Sequence, residues 1–486
     1  MFPAVKLESP ALVPALWQGR CALAWHAGPH EVSCRLVLVS PTGQRILAHC
    51  AERATGTAIS LPRLSIPRWS RTAAEIQVSI EARWGLRAVV MDCFLDSQGL
   101  ELTAISELIE TSNVEPNIQG MEWLPLADIP AEATRSPNDT IRPLLATLTA
   151  RGIPNDSPFL RLGWIKELLD WVSSVTPRNR FARVNRIEQL NATAQCALLK
   201  IQYSNGLAYW FKAVAIPDDR EFDLTLRLSE LFPEFLPAIV GSRRDWQGWI
   251  MRDAGFTLDG AFFPNRSVAE IGARLAKLQQ ASSSHAGHLL TYGLYDHRFP
   301  ALRDTILELL PYLQEAVRSS RTDKAAYTLR GGLGGLLPVF ESACERLRKL
   351  NLPDALVHGD LNVGNVLMAN GSCIFTDWAE AAIGNPLLAI DQLRMHFEQN
   401  PRARISLPGI SALYCRQWGV DLSETRTSDA FHTVRLLTLT AHLSNRKQWI
   451  LSHYEQNPGL QSYLRSIATQ MVAAIQHDKI PHKLTA

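Results

Sequence analysis

Residues 356–378 constrain the fold of this chain more than any other segment. They contain Asn370-Gly371, the strongest short signal for a β-hairpin, because both positions tolerate a positive φ angle. Short apolar runs of strand type flank this turn, at 366–368 and 373–376. The sequence therefore predicts two antiparallel strands joined by a tight turn.

Polar side chains gather at the open end of the predicted hairpin. A three-residue loop centred on Gly371 would put Asn365 opposite Asp377, and a two-residue loop would shift that pairing to Thr376. Either register keeps the two close, because directly paired residues lie about 4.5–5.5 Å apart. Their amide and carboxylate oxygens suit Mg²⁺, which keeps phosphates and waters as its other ligands. Asp360 lies just upstream, on the loop that enters the first strand.

The pattern His-Gly-Asp-x4-Asn, with an Asp twelve residues after the Asn, resembles the catalytic core of the aminoglycoside phosphotransferase and choline kinase group. The members of this group are small-molecule kinases with a protein-kinase-like fold. The resemblance implies that Asp360 is the catalytic base and that Asn365 and Asp377 are the metal ligands. It also implies that His358 stabilises the loop. Trp378 follows the metal-binding aspartate, as it often does in this group.

Length, charge and cysteine usage limit the number of domains, the kinds of partner and the cellular compartment to be expected. A chain of 486 residues exceeds one ordinary core, so two or three domains are expected. A net charge of +2 gives no reason to expect a nucleic-acid partner. The eight cysteines are scattered without a Cys-x-x-Cys pair, which favours reduced thiols in the cytoplasm. We find no export signal and no apolar run long enough for a membrane span. The oligomeric state stays open.

Residues 1–135 resemble a Nudix-like α/β domain without its catalytic glutamates. The predicted order is a hairpin over 35–49, a helix over 72–83 that ends at Gly85, a strand over 88–95, and a closing Trp-x-Pro-Leu-x-Asp. Counting back from Gly85 puts other residue types at the metal-binding positions of the Nudix box: Ser70, Val78, Ser79, Ala82 and Arg83. We therefore predict no hydrolase activity. An unrelated α+β domain is the alternative.

Residues 136–158 are rich in proline, serine and asparagine and are predicted to be a linker. Residues 159–252 then resemble the small lobe of a kinase, with predicted strands at 184–190, 196–202 and 207–214. Lys212 lies within the third strand, where a buried lysine is costly unless it meets an anion. The resemblance implies that Lys212 binds the α- and β-phosphates of a nucleotide; an edge-strand lysine in water is the alternative.

A carboxylate partner for this lysine is expected on the following helix, predicted over 217–231. Glu221 fits the family position best, and Glu230 and Asp223 are the fallbacks. The loop between the first two strands, 191–195, contains no glycine, so Thr193 and the alanine amides would have to contact the phosphates. Residues 249–255 resemble the connection between lobes. There the backbone of two residues would contact the base of the nucleotide: Met251 and Arg252.

Residues 253–486 are predicted to be the large helical lobe that carries the catalytic loop. Asp391 lies in the helix that follows Gly384-Asn-Pro, and the resemblance implies that it is a structural acid that steadies the catalytic loop. Glu380 follows Asp377 by three residues and is a possible contact for the substrate. A surface carboxylate without function is an equal alternative for Glu380.

The sequence thus predicts an α+β chain: a two-lobed protein-kinase-like fold behind an N-terminal α/β Nudix-like domain. Its predicted activity, from the resemblance, is transfer of the γ-phosphoryl group of ATP or GTP, with Mg²⁺, to a hydroxyl of a small molecule. An aminoglycoside-like, choline-like or sugar acceptor would fit. The alternatives are a nucleotide-binding pseudoenzyme or regulatory protein, and a kinase of protein side chains.

Overall fold

The computed structural model describes most of the chain in fifteen segments: 31–40, 45–53, 56–67, 71–95, 101–109, 117–129, 158–176, 182–214, 220–258, 265–318, 332–369, 372–399, 403–420, 424–454 and 457–478. These segments fall into two compact units. The first unit is Met1–Phe222 with Ile239–Asp253, and the second is Asp223–Ala238 with Ala254–Ala486. The predicted linker, apart from its last residue, lies outside the described residues, so the predicted domain boundaries stay predictions.

The first unit opens with a mixed sheet, which we call the N-terminal sheet. Its path is β3-β2-β1-β6-β5, with β4 paired to β1 and β7 to β2. The predicted hairpin is present, since β1 and β2 are antiparallel, whereas β1 and β6 run parallel. The strands are β1 Glu31–Val39, β2 Arg45–Arg53, β3 Gly56–Ser60, β4 Arg63–Pro67, β5 Ala88–Leu95, β6 Glu101–Leu108 and β7 Met121–Pro125.

One helix, α1 (Thr72–Trp84), packs on this sheet through its buried residues Ala73, Ile76 and Ile80. It ends at Gly85, which adopts a left-handed φ of 66° and donates its N–H to the Glu81 carbonyl. The predicted helix and its glycine stop are therefore confirmed.

The second sheet of the first unit is a fully antiparallel meander in the order β11-β12-β10-β9-β8. The three strands predicted from the sequence are present, and the turn between β9 and β10 has Gly206 at a φ of 81°. Helix α2 (Trp164–Val175) precedes the sheet and α3 (Arg220–Leu231) follows β10. The strands are β8 Val184–Ala192, β9 Ala197–Tyr203, β10 Ala208–Ala213, β11 Ile239–Arg243 and β12 Gly248–Arg252.

The two sheets of the first unit share one hydrophobic core. The N-terminal sheet contributes buried residues such as Val39 and Ile105, and the meander contributes Ile201 and Phe211 to the same cluster. Aromatic rings in edge-to-face contact fill its centre: Phe159, Trp164, Trp171, Phe211 and Trp246. Edge-to-face rings add stability beyond their buried area, so this core fixes the two sheets against each other.

The second unit is mostly helical among the described residues. Its helices are α4 Asn265–Ser283, α5 Ala286–Thr291, α6 Phe299–Arg318, α7 Leu336–Arg348, α8 Leu387–Gln399, α9 Leu407–Trp418, α10 Glu424–His453 and α11 Pro458–Asp478. Two small three-stranded sheets, β13-β16-β17 and β14-β18-β15, lie among them. Their strands are β13 Phe256–Thr257, β14 Tyr295–His297, β15 Ala355–Val357, β16 Val366–Ala369, β17 Ser372–Phe375 and β18 Ala382–Gly384.

One large hydrophobic cluster joins these helices to β15–β18, with Trp378, Leu388, Leu437 and Met471 among its buried members. Among the described helices, none combines the length and apolar character that a membrane span requires. The cysteines of the described part are all free, and most are buried.

Candidate active site

The predicted catalytic hairpin is present as β16 and β17. The pairs run from Val366↔Phe375 to Ala369↔Ser372, so two residues, which lie outside the described part, separate the strands. Of the two registers predicted, the structure has the one with the two-residue loop. The antiparallel pairing continues one step beyond the two strands, where the Thr376 N–H donates to the Asn365 carbonyl at 3.1 Å. Asn365 therefore faces Thr376, and Asp377 is the next residue along the chain.

Asp377 adopts a φ of 68°, in the left-handed region that non-glycine residues seldom occupy. Such a conformation persists only where the surroundings enforce it, and it is concentrated at functional sites. Trp378 supplies part of that enforcement. Its ring is 1% exposed and its Nε1 donates to the Phe375 carbonyl at 3.3 Å.

Asp360 lies in a polar pocket made by its own loop. The side-chain amides of Asn362 and Asn365 each donate to its Oδ2 at 3.1 Å, and Asn365 also donates to its carbonyl at 2.8 Å. Burial, followed by the charges of Glu380 and Asp377, raises the pKa of Asp360 to about 8, against the opposing effects of Arg446 and the Asn362 hydrogen bond. The three predicted residues Asp360, Asn365 and Asp377 therefore lie in one region.

Gly359 and His358 both fix the loop that carries Asp360, the glycine for a steric reason and the histidine through its contacts. Gly359 has a φ of 83°, and a Cβ on it would lie 1.8 Å from the Glu380 carbonyl oxygen. His358 is 1% exposed, and its Nε2 lies 2.9 Å from the Thr376 carbonyl. Its ring packs 4.5 Å from that of Trp378. His358 thus ties the loop to the segment that precedes Asp377.

The sequence reasoning missed Gln392, the residue of α8 that holds the catalytic loop directly. Its Nε2 donates to the Gly359 carbonyl at 2.6 Å, and its Oε1 accepts the Leu361 N–H at 3.3 Å. The neighbouring Asp391, predicted for this role, is 0% exposed and binds the Arg435 guanidinium through both oxygens, at 2.8 and 2.9 Å. Gln392 thus contacts the loop directly, and the predicted structural role of Asp391 stays a prediction.

Glu380 belongs to a polar network with α10. Its carboxylate pairs with Arg446 at 2.7 Å and accepts the Asn445 amide at 2.9 Å. Arg446 also contacts Nδ1 of His442 at 3.1 Å. Burial, with the charges of Arg446 and His396, lowers the pKa of His442 well below its usual value. These helix residues could not be predicted from the motif, because they lie far from it along the chain.

In the first unit, Lys212 on β10 and Glu221 on α3 form an ion pair with 2.6 Å between Nζ and Oε1. Both side chains are largely buried, at 14% and 7% exposed. Lys212 also lies 5.8 Å from the centre of the Trp249 ring. Glu230, a fallback partner, pairs with Arg227 in the second unit instead. Their roles toward a nucleotide stay predictions.

The other residues predicted to contact the nucleotide already make backbone or side-chain interactions with their neighbours. Thr193 donates its N–H to the Cys196 carbonyl at 2.9 Å, and its hydroxyl accepts the N–H of Gln195 and of Cys196. Met251 and Arg252 form the end of β12, paired with Trp210 and Tyr209 of β10. They are strand residues and not a free connection, and their contact with a base stays a prediction.

The donor set fits a magnesium ion. Because Asn365 uses its amide nitrogen for Asp360, its carbonyl oxygen is the end that a cation would take, and Asp377 supplies a carboxylate. One amide and one carboxylate leave most positions for phosphates and waters, as Mg²⁺ prefers. Among the described residues, no group of three or more His, Cys, Asp or Glu could hold a metal ion, so a closed all-protein cage is not found there.

A half-buried aspartate on a His-Gly-Asp loop, beside an amide and a carboxylate suited to Mg²⁺, is a residue set that suits phosphoryl transfer. Residues 261–391 match the model of the phosphotransferase enzyme family. The match bears out the predicted resemblance and the predicted phosphotransferase class. The predicted α+β class, a sheet-rich small lobe and a helical large lobe, is also confirmed. The Nudix-like assignment is not confirmed.

Several solved structures resemble the chain at low identity. An ethanolamine kinase of Plasmodium vivax has 16% identity and a TM-score of 0.40, over 64% of this chain and 88% of its own. A choline kinase of Cryptosporidium parvum has 14% identity and a TM-score of 0.44, over 64% and 96%. A spectinomycin phosphotransferase, solved with ADP and spectinomycin, has 12% identity and a TM-score of 0.39, over 64% and 98%. No curated protein matches the chain.

Proposed function

We propose that the protein is a kinase that transfers the γ-phosphoryl group of ATP or GTP to a hydroxyl of a small molecule. The observation that carries this proposal is the catalytic loop: the Asp360 carboxylate is held at 3.1 Å by Asn365, and Asp377 follows in a left-handed conformation. The loop lies within the stretch that matches the family.

Phosphoryl transfer asks the protein mainly for placement and charge neutralisation. In this proposal Asp360 orients the acceptor hydroxyl and takes its proton. Asn365 and Asp377 hold Mg²⁺, which, when bound, would neutralise the charge of the phosphates. His358 and Asp391 have structural roles, the first through the Thr376 carbonyl and the second through Arg435.

The first unit would contribute the nucleotide contacts. Lys212, positioned by its ion pair with Glu221, would bind the α- and β-phosphates, as the resemblance implies. The Ala194 N–H would contact phosphates, since the Thr193 hydroxyl and the N–H groups of Thr193, Gln195 and Cys196 are already used within the loop. Met251 and Arg252 remain candidates for contacts with the base.

Whether the site favours a positively charged acceptor depends on whether the Glu380 carboxylate is available to bind it. Its carboxylate is 17% exposed and is already paired with Arg446. A cationic acceptor would therefore meet a neutralised pair at Glu380, while Asp360 and Asp377 are reserved for the reaction. We propose that the acceptor is recognised by its hydroxyl groups, and that a positive charge on it is not required. Neutral sugars are then as suitable as choline-like or aminoglycoside-like compounds.

The alternative, a nucleotide-binding pseudoenzyme, is not favoured. Asp360, its amide partner Asn365 and the ion pair between Lys212 and Glu221 are all in place. The roles of all four in binding and catalysis stay predictions.

The test compares the wild-type chain with Asp360→Asn for release of ADP or GDP. MgATP and MgGTP would be offered with a panel of aminoglycosides, choline, homoserine and neutral sugars. Because a positioned general base contributes about 100-fold to 10,000-fold, we expect turnover to fall by at least about 100-fold.

Asp354→Asn is the matched control, because Asp354 is an exposed aspartate of the same unit, just before β15. It should turn over nucleotide like the wild-type chain. Equal turnover by wild type and Asp360→Asn would remove the proposed mechanism.

A further inference from the structure

The end of β8 and the turn that follows it, residues 191–195, lie against the N-terminal sheet of the same unit. The loop predicted at 191–195 begins in the structure only at Thr193, because Asn191 and Ala192 still pair with β9. Ala192 is 3% exposed and belongs to the hydrophobic cluster of that sheet. The Cys93 thiol of β5 lies 4.0 Å from the Ala192 carbonyl. On the other side, the Phe159 N–H donates to the Ala194 carbonyl at 3.2 Å. We call residues 191–195 the nucleotide loop, a name that rests on the proposed function.

Gln189, two residues before this loop, is the strongest polar link between the two sheets. Its amide donates to the Val90 carbonyl and accepts the Val90 N–H, both at 2.7 Å. Its own backbone N–H donates to Oε1 of Gln77 on α1 at 2.9 Å. The side chain is 1% exposed. The two bonds to Val90 are buried and the bond to Gln77 is partly buried, and the loss of a partner costs most at buried groups.

These bonds form where both strands depart from regular pairing. The β5–β6 register shifts between Val90 and Asp92, and the β8–β9 register shifts between Gln189 and Asn191. An irregularity of this kind leaves backbone groups outside the ladder, and buried backbone groups need partners. The Gln189 amide offers both a donor and an acceptor, which matches the two groups of Val90.

A second polar link lies nearby, at the start of α2. Oε1 of Glu107, on β6, accepts the Gly163 N–H at 2.8 Å, and Gly163 precedes the first residue of α2. The N-terminal sheet thus supplies a carboxylate to the positive end of this helix. The first link joins the N-terminal sheet to the meander and the second joins it to α2, so the sheet is held to the rest of the unit at two separate points.

The nucleotide loop contains no glycine, so it cannot adapt its backbone to a phosphate as a glycine-rich loop does. It has to be placed in advance. Thr193 closes the loop on itself, and this fixes its internal shape. The internal bonds leave its position relative to the sheet to contacts outside the loop. These come directly from β5 and Phe159, and from β5 and α1 through Gln189, two residues before the loop.

We infer that the N-terminal sheet is a support that positions the nucleotide loop, and that Gln189 is the positioning residue through which it acts. The function of this region is then to hold a kinase loop, and not to catalyse a reaction of its own. Loss of the Gln189 links should let the loop move, which weakens nucleotide binding more than it slows the chemical step.

The test is Gln189→Met, which keeps the length of the side chain and removes its hydrogen bonds. We expect the KM for MgATP to rise about tenfold, with kcat within about threefold of wild type. Amide hydrogen exchange in residues 191–196 should become about tenfold faster. Exchange at the opposite end of β9, in residues 204–206, should not change.

Gln202→Met is the matched control, because Gln202 lies on the neighbouring strand β9 and bonds to Glu188, not to the N-terminal sheet. It should leave both the KM and the loop exchange at wild-type values. If Gln189→Met does not fold, Gln77→Leu replaces it, because it removes only the bond from the Gln189 N–H and the bond to the Ala88 carbonyl.

One result would contradict the proposed function, and a different result would contradict the support role of the N-terminal sheet. A wild-type chain that binds neither MgATP nor MgGTP would overturn the proposed function, and the nucleotide role of the loop with it. A folded Gln189→Met or Gln77→Leu chain with unchanged KM and unchanged loop exchange would overturn the support role alone.

Discussion

The catalytic loop, residues 358–365, and the nucleotide loop, residues 191–195, are held in place in opposite ways. The catalytic loop is tied mostly by residues of its own motif: Asn362 and Asn365 bond to Asp360, and His358 bonds to the Thr376 carbonyl. The nucleotide loop depends on Gln189 and its bonds to Val90, a residue 99 positions away.

This difference follows from what each loop has to do. A loop that holds charge must surround its carboxylates with donors, and the nearest donors are neighbours in the chain. In the nucleotide loop the Thr193 side chain fixes only the internal shape, so the position of the loop must come from the surfaces behind it. The first kind of loop can be read in a short motif, and the second cannot.

The largest effect should come from Gly359→Ala, which tests how tightly the catalytic loop is packed. The new Cβ would lie 1.8 Å from the Glu380 carbonyl oxygen, at a φ of 83° that alanine disfavours. We expect the free energy of unfolding to fall by at least about 3 kcal/mol, because the obstacle is backbone and cannot move aside. Chemical denaturation measures this change.

Gly419→Ala provides the control for backbone strain alone. Gly419 has a φ of 64° in the same unit, and a Cβ there would meet nothing within 4 Å. Its cost should be about 1 kcal/mol. Equal costs at the two glycines would mean that the catalytic loop is not closely packed against Glu380.

A smaller effect is expected for Gln392→Leu. Most supports of the catalytic loop described above come from the motif itself, whereas Gln392 supports the loop from α8. Gly359 and Leu361 would lose bonds at 2.6 and 3.3 Å on either side of Asp360. We expect kcat to fall about tenfold to 100-fold with little change in KM, because misplacement of the base affects the transition state. Steady-state kinetics of the phosphoryl transfer would measure both constants.

Gln280→Leu is the matched control, since Gln280 makes two bonds of 2.9 Å to Gln417 in the same unit. It should cost stability without lowering kcat. An equal fall in kcat for both variants would show that general destabilisation, and not placement of Asp360, is responsible.

The smallest effect concerns the second polar link of the N-terminal sheet, from Glu107 to Gly163, and depends on pH. Burial raises the pKa of Glu107 to about 7, against the opposing Gly163 N–H and Arg161 charge. Because this pKa is higher in the folded chain than in the unfolded chain, the folded state loses stability as pH rises from about 4.5 to about 7. Glu107→Gln should remove that loss and raise stability at pH 8 by about 1–3 kcal/mol.

Thermal unfolding at pH 5 and pH 8 measures the Glu107 effect. The gain should be small at pH 5, where the folded wild type is already protonated at this carboxyl. Glu188→Gln, at a half-exposed glutamate of β8, should give no gain at pH 8. A Glu107→Gln chain that is less stable than wild type at pH 8 would mean that the charge of Glu107 is needed at the start of α2.

Some predictions were accurate because local chemistry determines them. The hairpin strands, the helix that ends at Gly85, and the meander around Lys212 all follow from patterns within a few residues. Glu221 could be placed beside Lys212 because the helix after a strand begins close to it. The contact of Gln392 with the catalytic loop was not predicted, because a single sequence does not show which of the neighbours Asp391 and Gln392 faces the loop.

The sequence by itself determined the composition of the catalytic loop, and from it we predict which residue is the base and which two oxygens suit magnesium; the need for glycine before Asp360 was shown only by the structure. Tertiary structure decided how the charges are balanced and what holds each loop. Glu380 meets Arg446, Asp391 meets Arg435, and Gln189 meets Val90 only after distant segments pack together. The physical reason is that a motif fixes neighbours in the chain through short-range geometry, whereas burial and pairing depend on which surfaces the fold brings together.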